Sequence, residues 1–280
     1  MPQLRYTTPH GITVTRTHSK VPYAKGLGHV LKQLDTKRGV YLSSGYEYPE
    51  RYSRWDVASV SPPLEITGRD RRLQLHALNE RGQTLLKLLW PLLEDHPQWE
   101  ASLELPDVIG IALKPLQAGF PEEERSKQPS PFSVLRALVN EFRHPDDSRL
   151  ALVGAFGYDL LLQFDPIQLR LPRNEQKDLH LFLCDDIYFM DRKKELIERF
   201  QYDFAGEHAA TEGLPRTSPP FERTKRSDIR GEIVSDHRPE EYMQKVETVR
   251  EGMRQGNYYE VVLRQTFSAP FQSSPSELFQ

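Results

Sequence analysis

Leu64-Glu65-Ile66-Thr67-Gly68-Arg69-Asp70-Arg71-Arg72-Leu73-Gln74-Leu75-His76-Ala77 is the stretch on which the fold class turns. Leu64 and Ile66 alternate with polar residues, and so do Leu73, Leu75 and Ala77. Period-two alternation is the signature of a strand with one buried face. The polar Gly68-Arg69-Asp70 between the two runs supplies turn chemistry, so the segment predicts an antiparallel hairpin. A second hairpin is predicted downstream, with strands over Leu179 to Met190 and Leu196 to Phe204 joined by the polar turn Asp191 to Lys194.

Working outward, helical spacing appears in separate blocks. Leu27, Val30, Leu31 and Leu34 predict a helix from Ala24 to Leu34, with Gly39 as a stop before the strand Val40-Tyr41-Leu42. Val57 to Val60 reads as a short strand. Gln83 to Leu93 is a leucine-rich helix expected to bend near Pro91. Ser102 to Leu113 is strand-like but interrupted by Pro106, and Pro115 to Pro131 is a polar loop. Ser130 and Pro131 open a helix through Phe142 by the cap-then-proline rule. Leu150 to Phe156 reads as a strand. Tyr242, Val246, Val249 and Met253 share one face of a helix over Pro239 to Arg254, which Gly256 ends. Tyr258 to Ala269 alternates as a long strand, placing Glu260 and Gln265 on opposite faces. Ser274-Pro275-Ser276-Glu277 is a capping box that announces a helix just before Gln280, so a longer natural protein is expected. Hairpins and separate helices without regular strand–helix alternation predict an α+β fold, mostly antiparallel, with helices on the outer side. The expected organisation is a domain over 1–204, a Pro/Ser/Thr-rich and charged linker over 205–235, and the start of a second domain over 236–280.

Composition excludes several classes of function. The 280 residues carry a formal net charge of -3, which suggests neither a nucleic-acid nor a membrane partner. The basic run Arg223, Lys225, Arg226 and Arg230 reads as solvated linker. No signal peptide or transmembrane run is visible, and a single cysteine, Cys184 in an apolar stretch, suits a reducing cytoplasm. Chemical motifs are sparse. None of the nine histidines has metal-ligand spacing. Ser235-Asp236-His237 has the letters of a triad, but neighbours on one segment cannot point at each other. Gly26-Leu27-Gly28 lacks the preceding strand of a phosphate loop. Asp185-Asp186 reads as a solvated strand edge, and Tyr158-Asp159 as the closing of a turn.

Three segments carry a family resemblance. Leu42-Ser43-Ser44-Gly45 with Arg51-Tyr52-Ser53-Arg54-Trp55 is similar to the N-terminal signature of anthranilate synthase large components. Gly154-Ala155-Phe156-Gly157-Tyr158-Asp159 resembles their Gly-x-x-Gly-Tyr segment. Gly256 to Phe267, containing Val261-Val262-Leu263-Arg264-Gln265, resembles the opening of their chorismate-binding region. The likeness runs from about Ile12 to Gln280, and Tyr46-Glu47-Tyr48-Pro49 points to the bacterial single-chain form fused to a glutamine amidotransferase.

The resemblance implies an N-terminal component I domain plus the start of a chorismate-binding domain, in an enzyme that makes anthranilate and pyruvate from chorismate and ammonia. It implies magnesium held by glutamates that follow Gln280, so no catalytic or metal-binding residue is assigned here. It also implies part of a regulatory site for L-tryptophan, carried onto Ser44, Arg54 and Ser43, with the second half of the pocket in an Asn-Pro-containing segment expected beyond Gln280. The family's usual glutamate is Ser43 in this chain, which removes an expected ammonium partner unless Glu47 or a later residue replaces it. Two alternatives stay open: a non-catalytic regulatory module, and a fragment of an enzyme making aminodeoxychorismate, isochorismate or a phenazine precursor.

Overall fold

The computed structural model describes residues 3–44, 54–103, 107–115, 128–164, 167–170, 172–173, 175–221, 232–270 and 273–280. The basic run at 223–230, the Tyr46 to Pro49 segment, Glu47 and Pro106 lie outside these. The chain forms two units, Met1–Phe221 and Glu222–Gln280.

The first unit holds β1 (Gln3–Thr7), β2 (Thr13–Val21), α1 (Gly28–Gln33), β3 (Gly39–Ser43), β4 (Trp55–Val60), β5 (Leu64–Arg69) and β6 (Arg72–Ala77), followed by α2 (Glu80–Leu93). Then come β7 (Asp95–His96), β8 (Trp99–Leu103), β9 (Val108–Leu113), α3 (Pro131–Phe142), β10 (Leu152–Phe156), β11 (Leu179–Leu183), β12 (Asp186–Asp191) and β13 (Leu196–Ala205). One sheet has the order β1-β2-β13-β12-β4-β3, the other β10-β11-β5-β6-β9-β8-β7. Every pairing in both is antiparallel, so the α+β expectation holds.

The predicted hairpin is β5–β6, with Ile66 opposite Leu75 and Gly68 opposite Leu73. Asp70 adopts the left-handed conformation that the tight turn requires, at φ 53°. The alternation is only half the story, because Glu65 and Thr67 on the other face are buried as well. α2 begins on Asn79, whose Oδ1 accepts from the Gly82 N–H at 3.0 Å. It runs on through Pro91. It buries Leu85, Leu86, Leu89 and Leu93, while α3 buries Val134, Leu135, Leu138 and Phe142. Both helices share one core with the two sheets. α1 contributes Val30 and Leu31, and Leu27 and Val30 pack on Ala58, Met190 and Ile197.

Four expectations need correction. Leu179 to Met190 is two strands rather than one: β11 pairs in one sheet, β12 in the other, and Cys184-Asp185 is the crossing. β4 and β5 cross between the same sheets through Ser61-Pro62-Pro63, with Ser61 at φ 55°. The Ser59 hydroxyl ties the crossings together, donating to the Asp186 carbonyl at 2.7 Å. An apolar run does not reveal such a sheet change, because both halves are equally buried. Cys184 lies in the core, where burial pushes its thiol up to about 12.

Asp185 and Asp186 are therefore not a solvated edge. Asp185 is 1% exposed and takes Arg81 at 2.5 Å and Arg216 at 2.8 Å, while Asp186 takes Arg199 at 2.6 Å. Arg81, itself 1% exposed, also donates to the carbonyls of Thr211 and Tyr202 and to Asp203. Through these contacts the stretch after Ala205, read as linker, belongs to the first unit as far as Phe221. Thr211 is fully buried and bonds Phe204 in both directions.

The second unit contains β14 (Val234–Ser235), α4 (Pro239–Arg254), β15 (Phe267–Ser268) and α5 (Pro275–Phe279). Gly256 ends α4 at φ 75°, and Ser274 caps α5 by accepting from the Glu277 N–H. The long strand expected from Tyr258 shrinks to the two residues of β15. A strand needs a neighbour, and the described residues offer only β14. Tyr259 is 99% exposed in consequence. Gln265 finds partners in Ser235 Oγ at 2.8 Å and the His237 carbonyl at 3.2 Å.

Candidate functional site

The residues carried over as regulatory sit at the mouth of the β3–β4 hairpin, next to the tight turn between β12 and β13. Alternation along β3 divides them. Tyr41 and Ser43 face one way, toward Asp56 on β4. Their hydroxyls donate to Asp56 at 3.1 and 2.8 Å. Arg192 closes the group, reaching Asp56 at 2.9 Å and Ser43 Oγ at 3.0 Å. Asp56 has no solvent exposure, and a buried carboxylate is tolerated because four donors converge on it. Burial and the Asp56 charge push the Tyr41 phenol up to about 12.

Ser44 follows Val40 and Leu42 on the opposite face. Its hydroxyl donates to the Trp55 carbonyl at 2.8 Å and accepts from the Trp55 N–H at 3.1 Å, extending the β3–β4 ladder by one step. On that side a groove of about 360 Å³ is lined by Val40, Leu42, Ala155 and Phe182, with Arg38 and His180 among its polar groups. Glu65 joins these two, accepting from Arg38 at 2.8 Å and bonding His180 at 2.6 Å. Burial alone would raise the Glu65 carboxyl, but His180, Arg38 and Lys177 bring it below the usual range.

Arg54 lies at the start of β4 and grips Asp191 edge-on, with Nη2 at 2.8 Å and Nε at 3.2 Å. Its guanidinium lies 4.7 Å from the Trp55 ring. The Arg54 bond holds Asp191 below the usual carboxylate range, aided by the Lys193 and Lys194 N–H groups. Ser43 and Arg54 thus join neighbouring ion-pair clusters, while the Ser44 hydroxyl is held by the Trp55 backbone on the other face. Asp56, Asp191 and Arg192 are the site residues that sequence reasoning missed. The turn Asp191 to Lys194 was visible, but its pairing with β4 was not, because β12 was read as part of a single strand.

Among the described residues the letters of a triad at Ser235 to His237 do not assemble as one. Ser235 Oγ donates to the His237 carbonyl rather than to its ring, while the His237 ring bonds Asp236 at 2.6 Å. Among the described residues no three His, Cys, Asp or Glu side chains meet as a metal site, so these residues do not fit a magnesium ion. Among the described residues no helix is long and apolar enough to cross a membrane.

A family model described as chorismate binding enzyme matches residues 92–280. Anthranilate synthase of Azospirillum brasilense is 40% identical over 281 residues, covering 99% of this chain and 38% of that protein. Anthranilate synthase component 1 of Serratia marcescens is 25% identical over 82% of the chain and 46% of its own length. Component 1 of Vibrio cholerae is 24% identical over 64% and 34%. The chain spans less than half the length of each of these relatives. On that family match the chain belongs to the chorismate binding enzymes, and it is similar to an anthranilate synthase along nearly its whole length.

Proposed function

We propose that this chain is the N-terminal part of an anthranilate synthase, which converts chorismate and ammonia, drawn from glutamine, into anthranilate and pyruvate for tryptophan biosynthesis. The observation that carries this reading is 40% identity across 99% of the chain to a protein of that name. The chemistry is assigned to residues that follow Gln280. Magnesium, the partner of a doubly carboxylated substrate, is assigned there too. A glutamine amidotransferase, fused or separate, is the proposed ammonia source, and the cytoplasm the proposed location.

The chain's own contribution is structural and regulatory. L-Tryptophan carries an ammonium, a carboxylate and an indole, so its pocket needs oxygen acceptors, a cation and an apolar recess. Ser44 and Arg54 supply an acceptor and a cation at the mouth of the β3–β4 hairpin, and the apolar Val40–Leu42 groove lies on the Ser44 face of that hairpin. Ser43, bonded to Asp56 and Arg192, supports this frame instead of offering the acceptor of the family's glutamate.

Complementation tests the proposal. The reading frame continued past codon 280 should restore growth without tryptophan to a bacterium lacking anthranilate synthase. Within that longer protein, Ser44→Ala should weaken inhibition by tryptophan about tenfold while leaving uninhibited turnover unchanged, as loss of one hydrogen bond to a charged group predicts. Failure of the continued frame to complement would reject the activity. An unchanged inhibition curve would reject the regulatory assignment.

A further inference from the structure

The ion pairs at the hairpin mouth are crossed. Arg54 and Asp56 stand two residues apart on β4, and Asp191 and Arg192 are consecutive at the end of β12. Arg54 takes Asp191, Arg192 takes Asp56, and the Arg192 N–H donates to the Arg54 carbonyl at 2.8 Å. Each carboxylate is anchored a second time. Asp191 accepts from the N–H groups of Lys193 and Lys194 at 3.1 Å each, and Asp56 from Tyr41 and Ser43. The acid side chains are buried at 3% and 0% exposure, whereas the Arg54 and Arg192 side chains are 43% and 37% exposed.

The carboxylates are therefore the fixed parts, and the guanidiniums are mounted on them. For Arg54 the mounting is directional. A guanidinium has five N–H donors in a rigid fork. Asp191 occupies the Nε–Nη2 edge, and the Trp55 ring lies beside the plane. The Nη1 donors have no hydrogen-bond partner among the described residues. That leaves one end of a pre-oriented fork toward solvent, the geometry in which an arginine binds a carboxylate with little ordering cost.

We propose that Asp191 is a positioning residue for the tryptophan site, fixing Arg54 so that its Nη1 end meets the carboxylate of the amino acid. This rests on the regulatory reading above. Two effects of removing the Asp191 charge oppose each other. Releasing Arg54 restores its rotamer freedom and weakens ligand binding, whereas deleting a nearby negative charge favours an anionic ligand. The second effect is small where the guanidinium is two-fifths exposed and salt screens it, so the positioning effect should win.

The test uses the protein encoded by the continued reading frame and fluorine NMR of 5-fluoro-L-tryptophan, with 5-fluorotryptamine, which lacks the carboxylate, as the control ligand. The unsubstituted protein should broaden both signals. Asp191→Asn should weaken binding of the amino acid about three- to tenfold and leave the amine unchanged. Arg54→Gln should do the same, and the two substitutions together should cost no more than Arg54→Gln alone. Equal losses for both ligands would mean that Asp191 only holds the fold, and tighter binding of the amino acid by Asp191→Asn would mean that it competes with the ligand; either result overturns the inference. If Arg54→Gln weakens binding but Asp191→Asn does not, positioning fails and the regulatory reading stands. If the unsubstituted protein binds neither ligand, the regulatory reading itself fails.

Discussion

Replacing Arg81 by methionine removes the group on which the sheet crossing and the chain after Ala205 both depend. Methionine matches the length and packing of the arginine stem, so the change isolates the charge and its hydrogen bonds. Arg81 donates to Asp185 at 2.5 Å, to the Thr211 and Tyr202 carbonyls at 2.6 and 2.7 Å, and to Asp203 at 3.0 Å. Without it, Arg216 remains as the counter-charge of Asp185, and two carbonyls lose a donor in a site that water does not reach. Breaking a buried ion pair on one side costs about 3–5 kcal/mol. Domains are typically stable by only about 5–15 kcal/mol. For a unit of this size each kcal/mol moves the midpoint by about 2–4 °C, so thermal denaturation followed by circular dichroism should fall by about 6–20 °C.

The pH dependence provides an internal check. Burial already drives the Asp185 carboxyl upward, against the pull of Arg81 and Arg216. Losing Arg81 drives it further. A carboxyl whose folded pKa is raised contributes stability below its unfolded value and loses it as pH rises through the folded one. The deficit of Arg81→Met should therefore be larger near pH 8 than near pH 4.5. Asp185→Leu added to Arg81→Met should recover part of the loss, since the unpaired charge is gone. A midpoint within 2 °C of the unsubstituted chain, or a deficit that grows toward acid, would refute the reasoning.

Two further predictions test packing and electrostatics elsewhere. Gly82→Ala should destabilise by about 1–3 kcal/mol despite the better helix propensity of alanine, because its Cβ would fall 2.1 Å from the Pro63 carbonyl and 2.9 Å from Ala77 Cα; a raised urea midpoint would contradict this. Asp236 accepts from the Thr266 N–H and bonds His237, which lowers its carboxyl to about 2; its stabilising contribution is present above the ordinary carboxylate range and lost as pH falls through about 2, and an NMR titration midpoint near 4 would count against it.

What the sequence made legible was local. The Leu64 to Ala77 hairpin, the Ser130–Pro131 helix start, the α4 face with its Gly256 stop and the Ser274 capping box each rest on contacts within a few residues, and each formed as expected. What escaped was set by distant partners. Cys184-Asp185 gives no sign of a change of sheet, because the change is decided by where β4 and β13 lie. Arg81 lies ahead of the helix predicted from Gln83 and carries no motif, yet Asp185, Tyr202 and Thr211 close over it. The same applies to the site. Ser44 and Arg54 could be found by resemblance, but Asp191 and Arg192 lie more than 130 residues from them and carry no motif. The long strand from Tyr258 failed for the complementary reason, since its alternation is genuine but alternation does not create a neighbouring strand.

The proposed function makes this chain the frame of an anthranilate synthase and places the chemistry in residues following Gln280. Anthranilate fluorescence tests it most directly, measured with chorismate, ammonia and magnesium for the purified 280-residue chain beside the protein encoded by the continued reading frame. No turnover is expected from the first, and steady anthranilate production from the second. Turnover by the 280-residue chain at the rate of the longer protein would place the active site within these residues and contradict it.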